Sequence, residues 1–361
     1  MELDFNIDEL QGNTNYVPFS KLEERIKDFP YHKSLGKDSS GNYEFYQIDM
    51  GTVGKPIIVF DSVMHGAEYQ SSLYLLGFLE DLRDKKNIPT PFIEHILSNY
   101  HIVAFPVMNP WGLDETTPYA RVRGRHPIHG MDLDSDYDEV YFNSLEARYT
   151  RPVYDNPDTI ANMDLHLYRK TQKDTDMIYG IGAATHNPII NEVADITERT
   201  FPEKRVGIWR SIKTWRIGRI RSYVARHHNK HTPQTIAMKI ELARPSNESE
   251  ENGGELRPNS PEELYKMGYL GLYLYLQGVN EYYQENKGKG TYKEYTNNIN
   301  DMVTTIEEPD RTIELKRYSD GEIHNTVETY HSGKYKGKQI RTTFERFDDG
   351  RVKNIVREID E

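Results

Sequence analysis

Two short, unbroken apolar runs flank a stretch with helical spacing, and this pattern constrains the fold more than any other feature of the chain. Ile57-Ile58-Val59-Phe60 follows Gly54-Lys55-Pro56 and reads as a strand buried on both faces. From Ser71 to Asp84, Leu73, Leu76, Phe78 and Leu79 recur at helix-like intervals, with charge gathered at the C-terminal end. Ile102 to Val107 is the next strand candidate, closed by Asn109-Pro110. Strand, helix and strand within about fifty residues predict a right-handed parallel βαβ unit, and so an α/β fold. Further strands are expected from Ile160 to Leu165 and from Thr235 to Leu242. Pro261 to Gln284 reads as a helix: Ser260 can cap it, Pro261 suits its first position, and Glu262 and Glu263 suit its first turn. Tyr265, Tyr269, Tyr273 and Tyr275 mostly repeat at helical spacing, as a packed amphipathic face would.

The texture changes after that helix. Gln284 to Thr291 contains Glu-Asn-Lys-Gly-Lys-Gly, a linker composition. Beyond it, the segment starting Arg317-Tyr-Ser-Asp-Gly recurs 29 residues later as Arg346-Phe-Asp-Asp-Gly. Asp-Gly at 320–321 and 349–350 marks hairpin turns. The expected division is a domain at 1–285 and a linker with a β-hairpin repeat module at 286–361. Two copies fall short of a free-standing solenoid. The module is therefore expected to pack on the main domain or on a symmetry mate, which would make a homo-oligomer.

Composition removes several classes. Among 361 residues there is no cysteine, so disulfides, thiolate metal sites and cysteine nucleophiles are excluded. The net charge of −12 argues against a general nucleic-acid binder, whose affinity rests on Lys and Arg against phosphates. Apolar runs fall far below the roughly 18 residues of a membrane span. Met-Glu-Leu-Asp-Phe-Asn lacks the basic and apolar regions of a secretory signal, so the expected location is cytoplasmic or virion-associated.

The chemistry gathers at predicted strand ends. His65-Gly66-Ala67-Glu68 follows the first strand, where α/β sheets place ligands, and a separation of three turns both side chains to one side. A His and a carboxylate joined by a second His form the open His₂Glu zinc pattern, with water in the fourth position. Alone, His-x-x-Glu fits a solvated loop pair equally. His166 ends the Asn162-Met-Asp-Leu run and is the candidate second His; Glu241 ends the run Thr235-Ile-Ala-Met-Lys-Ile.

At these residues the chain resembles the funnelin zinc carboxypeptidases, the His-x-x-Glu…His type, over about residues 17 to 280. Val63-Met-His65-Gly66-Ala67-Glu68 is similar to the "HG-x-E" zinc motif, Asn109-Pro110-Trp111-Gly112 to "N-P-D-G", and Gly130-Met-Asp132-Leu133 to "G-V-D-L". Leu35-Gly36 through Gly41 resembles the family's first strand, Asp164-Leu-His166 stands where the third ligand belongs, and Ile240-Glu241-Leu242 resembles the segment of the catalytic glutamate. The resemblance implies an α/β/α sandwich around a mixed, largely parallel twisted sheet. It implies Zn2+ on His65, Glu68 and His166, and Glu241 as general base. It also implies Arg125 at the oxyanion, with Arg121 and Arg123 in reserve, although all three also fit a surface loop. Substrate contacts are implied at Asn109, Asp134 and Ser135. One departure stands out: Asp134-Ser135 replaces the Asn-Arg pair that grips a substrate's terminal carboxylate. An acidic pocket there would repel a carboxylate and attract an ammonium.

The expected function is a zinc-dependent hydrolase of peptide or amide bonds, with a peptide or peptidoglycan-fragment substrate and neither nucleic acid nor membrane as partner. Two alternatives stay open. One is a non-catalytic or weakly catalytic structural component, such as that of a phage tail, and the other is a small-substrate deacylase. A basic stretch holding Arg216, Arg219, Arg221 and Arg226 reads either as a cleft lining for an anionic substrate or as solvated surface.

Overall fold

The computed structural model describes residues 1, 3–12, 14–115, 126–130, 132–136, 144–168, 176–181, 187–210, 236–243, 259–286, 293–297, 302–307, 311–317, 323–330, 339–346 and 352–360. Two compact units divide the chain, the first formed by Met1–Arg226 with Thr235–Gln284 and the second by the remainder.

Eight strands build the sheet of the first unit: β1 (His32–Lys37), β2 (Glu44–Gly51), β3 (Ile57–Ser62), β4 (His101–Phe105), β5 (Thr159–Tyr168), β6 (Met177–Ile181), β7 (Val206–Arg210) and β8 (Ile236–Ala243). Their order is β1-β2-β4-β3-β5-β8-β6-β7. The central run β4, β3, β5, β8 is parallel, and so is β6 with β7, while β1–β2, β2–β4 and β8–β6 are antiparallel. The helices are α1 (Phe19–Lys27), α2 (Gln70–Asp84), α3 (Thr90–Asn99), α4 (Pro110–Glu115), α5 (Leu145–Tyr154), α6 (Asn187–Thr200) and α7 (Pro261–Asn286). The expected βαβ unit is β3-α2-β4, with α3 added before the return strand. The mixed, largely parallel α/β sheet is thus as expected.

Strand parity explains the layering. Ile58 and Phe60 of β3, Ile102 and Ala104 of β4, and Met163 and Leu165 of β5 join one core with α2, α3, α6 and α7. The alternate residues Ile57, Val59, Val103 and Phe105 form a second core with Ala147 and Tyr154 of α5. Both faces of β3 are buried, as an unbroken apolar run requires.

Helices α2 and α7 approach closely because each lacks a Cβ where the other presents a ring. Any Cβ at Gly77 would overlap the Tyr265 hydroxyl, and one at Gly268 would come 2.5 Å from the Tyr74 ring. The α7 tyrosines are core residues, as their spacing suggests. Tyr269 donates to Asp81 Oδ2 at 2.7 Å and Tyr275 to the Ile236 carbonyl at 2.7 Å, so these two buried hydroxyls keep partners.

The second unit holds a six-stranded antiparallel sheet: β9 (Lys293–Asn297), β10 (Met302–Glu307), β11 (Arg311–Arg317), β12 (Ile323–Tyr330), β13 (Gln339–Arg346) and β14 (Val352–Asp360). The repeat corresponds to the hairpins β11–β12 and β13–β14, joined into one sheet by β12–β13 pairing. Strands β9 and β10 extend it beyond the repeat. The repeat could not reveal β9, whose Lys-Glu-Tyr-Thr-Asn lacks an apolar run. Both Asp-Gly turns lie outside the described residues. Among the described residues no helix is long and apolar enough to cross a membrane.

Candidate active site

The chain turns sharply where β3 ends. Val63 adopts φ of 55°, in the left-handed region where a β-branched residue is an outlier. Three hydrogen bonds over-determine this turn. Val63 N donates to Ser71 Oγ at 3.2 Å, Ser71 Oγ to the Glu68 carbonyl at 2.7 Å, and Met108 N to the Ser62 carbonyl at 2.9 Å. Backbone strain held this way is characteristic of functional turns. It delivers His65 and then a single 3₁₀ turn, Gly66–Glu68, so that His65 and Glu68 face each other.

His65 Nδ1 lies 2.8 Å from Glu68 Oε1, and His166 Nδ1, from β5, lies 3.0 Å from Glu68 Oε2. The Leu167 amide donates to Glu68 Oε2 at 3.0 Å and fixes that oxygen. All three side chains are buried, and one ligand atom from each lies within 4.8 Å of the others. Two imidazole nitrogens converging on one carboxylate form a donor set that fits zinc. Asp132 faces the other nitrogen of His65, with Oδ1 3.1 Å from Nε2, and the same oxygen accepts from Asp134 N at 3.2 Å. A carboxylate behind a ligating imidazole sets its tautomer and orientation.

The electrostatics of the cluster are set by the carboxylates of Glu68, Asp132 and Asp164 around two imidazoles. Burial opposes charge on His166, but the carboxylates of Asp164 and Glu68 outweigh burial and Lys239 and push its pKa up to about 10. Burial likewise opposes charge on His65, and Glu68 and Asp132 reverse it, so the net direction is upward. Burial favours a neutral Glu68, yet the two imidazoles hold it well below the usual carboxylate range. Without a cation, protons on the imidazoles balance Glu68. With one, the same nitrogens are free to ligate.

Cross-strand register sets the rest. Asp61 of β3, Asp164 of β5 and Lys239 of β8 form one row, and His166 pairs with Glu241 in the next. Asp61 Oδ2 accepts from Tyr154 at 3.0 Å and from Asn162 at 2.6 Å. Burial and the neighbouring Asp164 push Asp61 well above the carboxylate range. Asp164 Oδ1 is in contact with His166 Nε2 at 2.7 Å. Lys239 Nζ stands 2.9 Å from Glu241 Oε1 and 3.6 Å from Asp134 Oδ2.

The structure therefore brings His65, Glu68 and His166 together and sets Glu241 beside them at the same sheet edge. Asp134 is buried on the 3₁₀ turn Leu133–Ser135, which also carries Ser135, whose side chain lies outside the described residues. Asn109 is fully buried and caps α4, accepting from Gly112 N at 2.8 Å. Arg125, Arg121, Arg123 and the basic stretch at 216–226 lie outside the described residues.

Comparison with known proteins gives the same direction. Residues 22–175 match the sequence profile of the zinc carboxypeptidase family, a span that holds His65, Glu68, Asp132 and His166. Over this segment the chain is similar to zinc carboxypeptidases, as a divergent relative would be. Solved structures share the fold at low identity. The metallo-carboxypeptidase of Burkholderia cenocepacia superposes with a TM-score of 0.55 at 12% identity, over 73% of this chain and 68% of that one. Bovine thrombin-activatable fibrinolysis inhibitor, in complex with tick carboxypeptidase inhibitor, gives 0.56 at 14%, over 74% and 99%. Carboxypeptidase A of Helicoverpa armigera gives 0.53 at 14%, over 78% and 77%. No curated protein sequence matches the chain. The family match ends before Glu241, so that residue's placement rests on the sheet register.

Sequence reasoning passed over the supports of this site: Asp132 behind His65, Asp164 against His166, and Lys239 beside Glu241. Asp132 and Asp164 lie inside motifs already read, two residues or fewer from residues given roles. Lys239 shows the clearest missed signal, a lone cation within the apolar run Ile236 to Leu242.

Proposed function

We propose that the first unit is a zinc-dependent hydrolase of peptide or amide bonds. The observation that supports this best is the convergence of His65 Nδ1, Glu68 and His166 Nδ1, with Glu241 in register beside His166. Zinc on those three residues would supply Lewis acidity to a carbonyl and make water a nucleophile near neutral pH. Glu241 accepts the proton of the attacking water on its carboxylate and returns it to the leaving nitrogen. Its side chain is 21% exposed, whereas those of His65, Glu68 and His166 are at most 4%, so the base is the group a substrate can reach. Asp132 keeps the His65 ring aligned, and the Leu167 amide keeps Glu68 in place.

The substrate we favour is a peptide that presents an amine or an internal bond near Asp134, because a buried acid there disfavours a free terminal carboxylate. Peptidoglycan stem peptides fall within that class.

The test is a peptide and peptidoglycan-fragment library read by mass spectrometry, with and without chelator. Chelator-sensitive cleavage restored by zinc is expected, and Glu241→Gln should lower kcat by about 10²–10⁴-fold with zinc retained. No cleavage by zinc-loaded protein across the library would sink the hydrolase and leave a non-catalytic role. Placing Asn and Arg at 134 and 135 should shift preference towards free C-terminal carboxylates; an unchanged preference would remove Asp134 from substrate choice.

A further inference from the structure

Lys239 has no task in the hydrolysis just described, yet it occupies a costly place. It sits in the middle of β8, between Asp164 on one neighbouring strand and Gly180 on the other, and is 4% exposed. An ammonium in the interior loses its hydration and persists only where carboxylates replace it. Among the described residues two do so, on different elements. Residues 239 and 241 point to the same face of β8, and the ammonium reaches along the strand to Glu241 Oε1 at 2.9 Å. From the turn Leu133–Ser135, Asp134 Oδ2 stands at 3.6 Å. Asp134 belongs to the turn capped by Asp132, whose carboxylate faces His65 Nε2. One short turn therefore touches both a zinc-ligand candidate and the cation that holds the candidate base.

We propose that Lys239 is a positioning residue for Glu241: anchored by Asp134, its ammonium fixes the base carboxylate beside His166. This rests on the reading of Glu241 as the base. A glutamate at a strand end with part of its side chain in solvent samples several rotamers, and an ion pair at 2.9 Å selects one of them. Selection matters because a misplacement of about 1 Å can cost about 10²-fold in rate. A lysine present only to neutralise Asp134 could be removed from an Asp134→Asn protein without further change in turnover, and this separates the two roles.

The experiment compares full-length, zinc-loaded wild type with Lys239→Arg, Lys239→Met, Asp134→Asn and the double variant Lys239→Met/Asp134→Asn. The double variant removes one charge of each sign, so it stays folded even if Lys239→Met does not. Measured against Asp134→Asn alone, which carries any change in substrate choice, it should keep its zinc stoichiometry and melting midpoint while kcat falls about 10²-fold and KM stays within about threefold. Lys239→Arg should recover most of the lost kcat. A double variant with the kcat of Asp134→Asn alone overturns the proposal, and so does a Lys239→Arg protein no better than the double variant. Should wild type cleave nothing, the hydrolase reading fails by itself. Lys239 is then judged by the carboxyl carbon-13 resonance of Glu241, assigned by its loss in Glu241→Gln. The double variant should move or broaden that resonance, and an unmoved resonance overturns the proposal.

Discussion

The two faces of β5 are built from opposite chemistry. On one side Ala161, Met163, Leu165 and Leu167 enter the larger core; on the other stand Asn162, Asp164 and His166, equally buried. Strand β8 repeats the division, with Ile236, Met238, Ile240 and Leu242 against Lys239 and Glu241. Neighbouring β3 and β4 are apolar on both faces from Ile57 to Phe60 and from Ile102 to Phe105. The polar residues thus form a window in the second face, running from Asp61 at the end of β3 across β5 to β8. One face supplies stability without specific chemistry. The other holds charges that oppose burial and are tolerated because they compensate one another.

Breaking the apolar side should have the largest effect. Leu165 is fully buried, and Leu165→Ala should cost about 2–5 kcal/mol by urea denaturation. The protein that remains folded should keep its zinc stoichiometry, because Leu165 and His166 project to opposite faces. A loss of zinc with little loss of stability would reverse the division of labour between the faces.

The polar face should respond to pH instead. His166, raised from 6.5 to about 10, holds its proton in the zinc-free protein at neutral pH. Its contribution to zinc-free stability is full below pH 6.5 and is lost as pH rises towards about 10. Zinc must displace that proton, so affinity should rise about tenfold per pH unit for each proton released. Chelator competition from pH 6.5 upward measures the slope, and calorimetry in buffers of different ionisation enthalpy counts the protons. A flat affinity would mean the imidazoles are already neutral and the charge reading of this face is wrong.

A smaller effect should come from Asp132, one step behind the ligands. Asp132→Asn keeps the acceptor that caps its turn but loses the charge facing His65 Nε2. Zinc affinity should fall about 10- to 100-fold, with zinc-free stability little changed. Unaltered affinity would make Asp132 a turn residue alone.

How much of this was legible follows from the same comparison. The apolar runs announced β3 and β4 because both faces are buried there. In β5 the run read as ending at Leu165, while the strand continues through His166 to Tyr168, since chemistry interrupts the pattern before the backbone does. His65, Glu68 and His166 could be read from spacing, strand ends and resemblance together. The rows Asp61–Asp164–Lys239 and His166–Glu241 could not, because which strands become neighbours is a property of topology: β8 follows β5 in space but comes after β6 and β7 in sequence. The strained turn at Val63 was hidden for a related reason, as valine gives no local sign of a left-handed backbone.

The smallest change probes how the window tolerates its acids. Asp61 and Asp164 face each other fully buried; Asp164 Oδ1 pairs with His166 Nε2, whereas Asp61 Oδ1 and Asp164 Oδ2 lack a hydrogen-bond donor among the described residues. Burial and Asp164 raise Asp61, so a proton on Asp61 can bridge to Asp164. A group raised on folding contributes stability at low pH that is lost as pH climbs through its folded value. Asp61→Asn should replace the bridging proton with an amide N–H, while its carbonyl still accepts from Tyr154 and Asn162. Stability at pH 5 should therefore change by less than about 1 kcal/mol, and the variant should gain on wild type as pH rises. Urea denaturation at pH 5 and pH 8, with zinc held constant, decides it. A loss that grows with pH would show Asp61 to be a working carboxylate, and the polar face would then carry one more charge than its partners can balance.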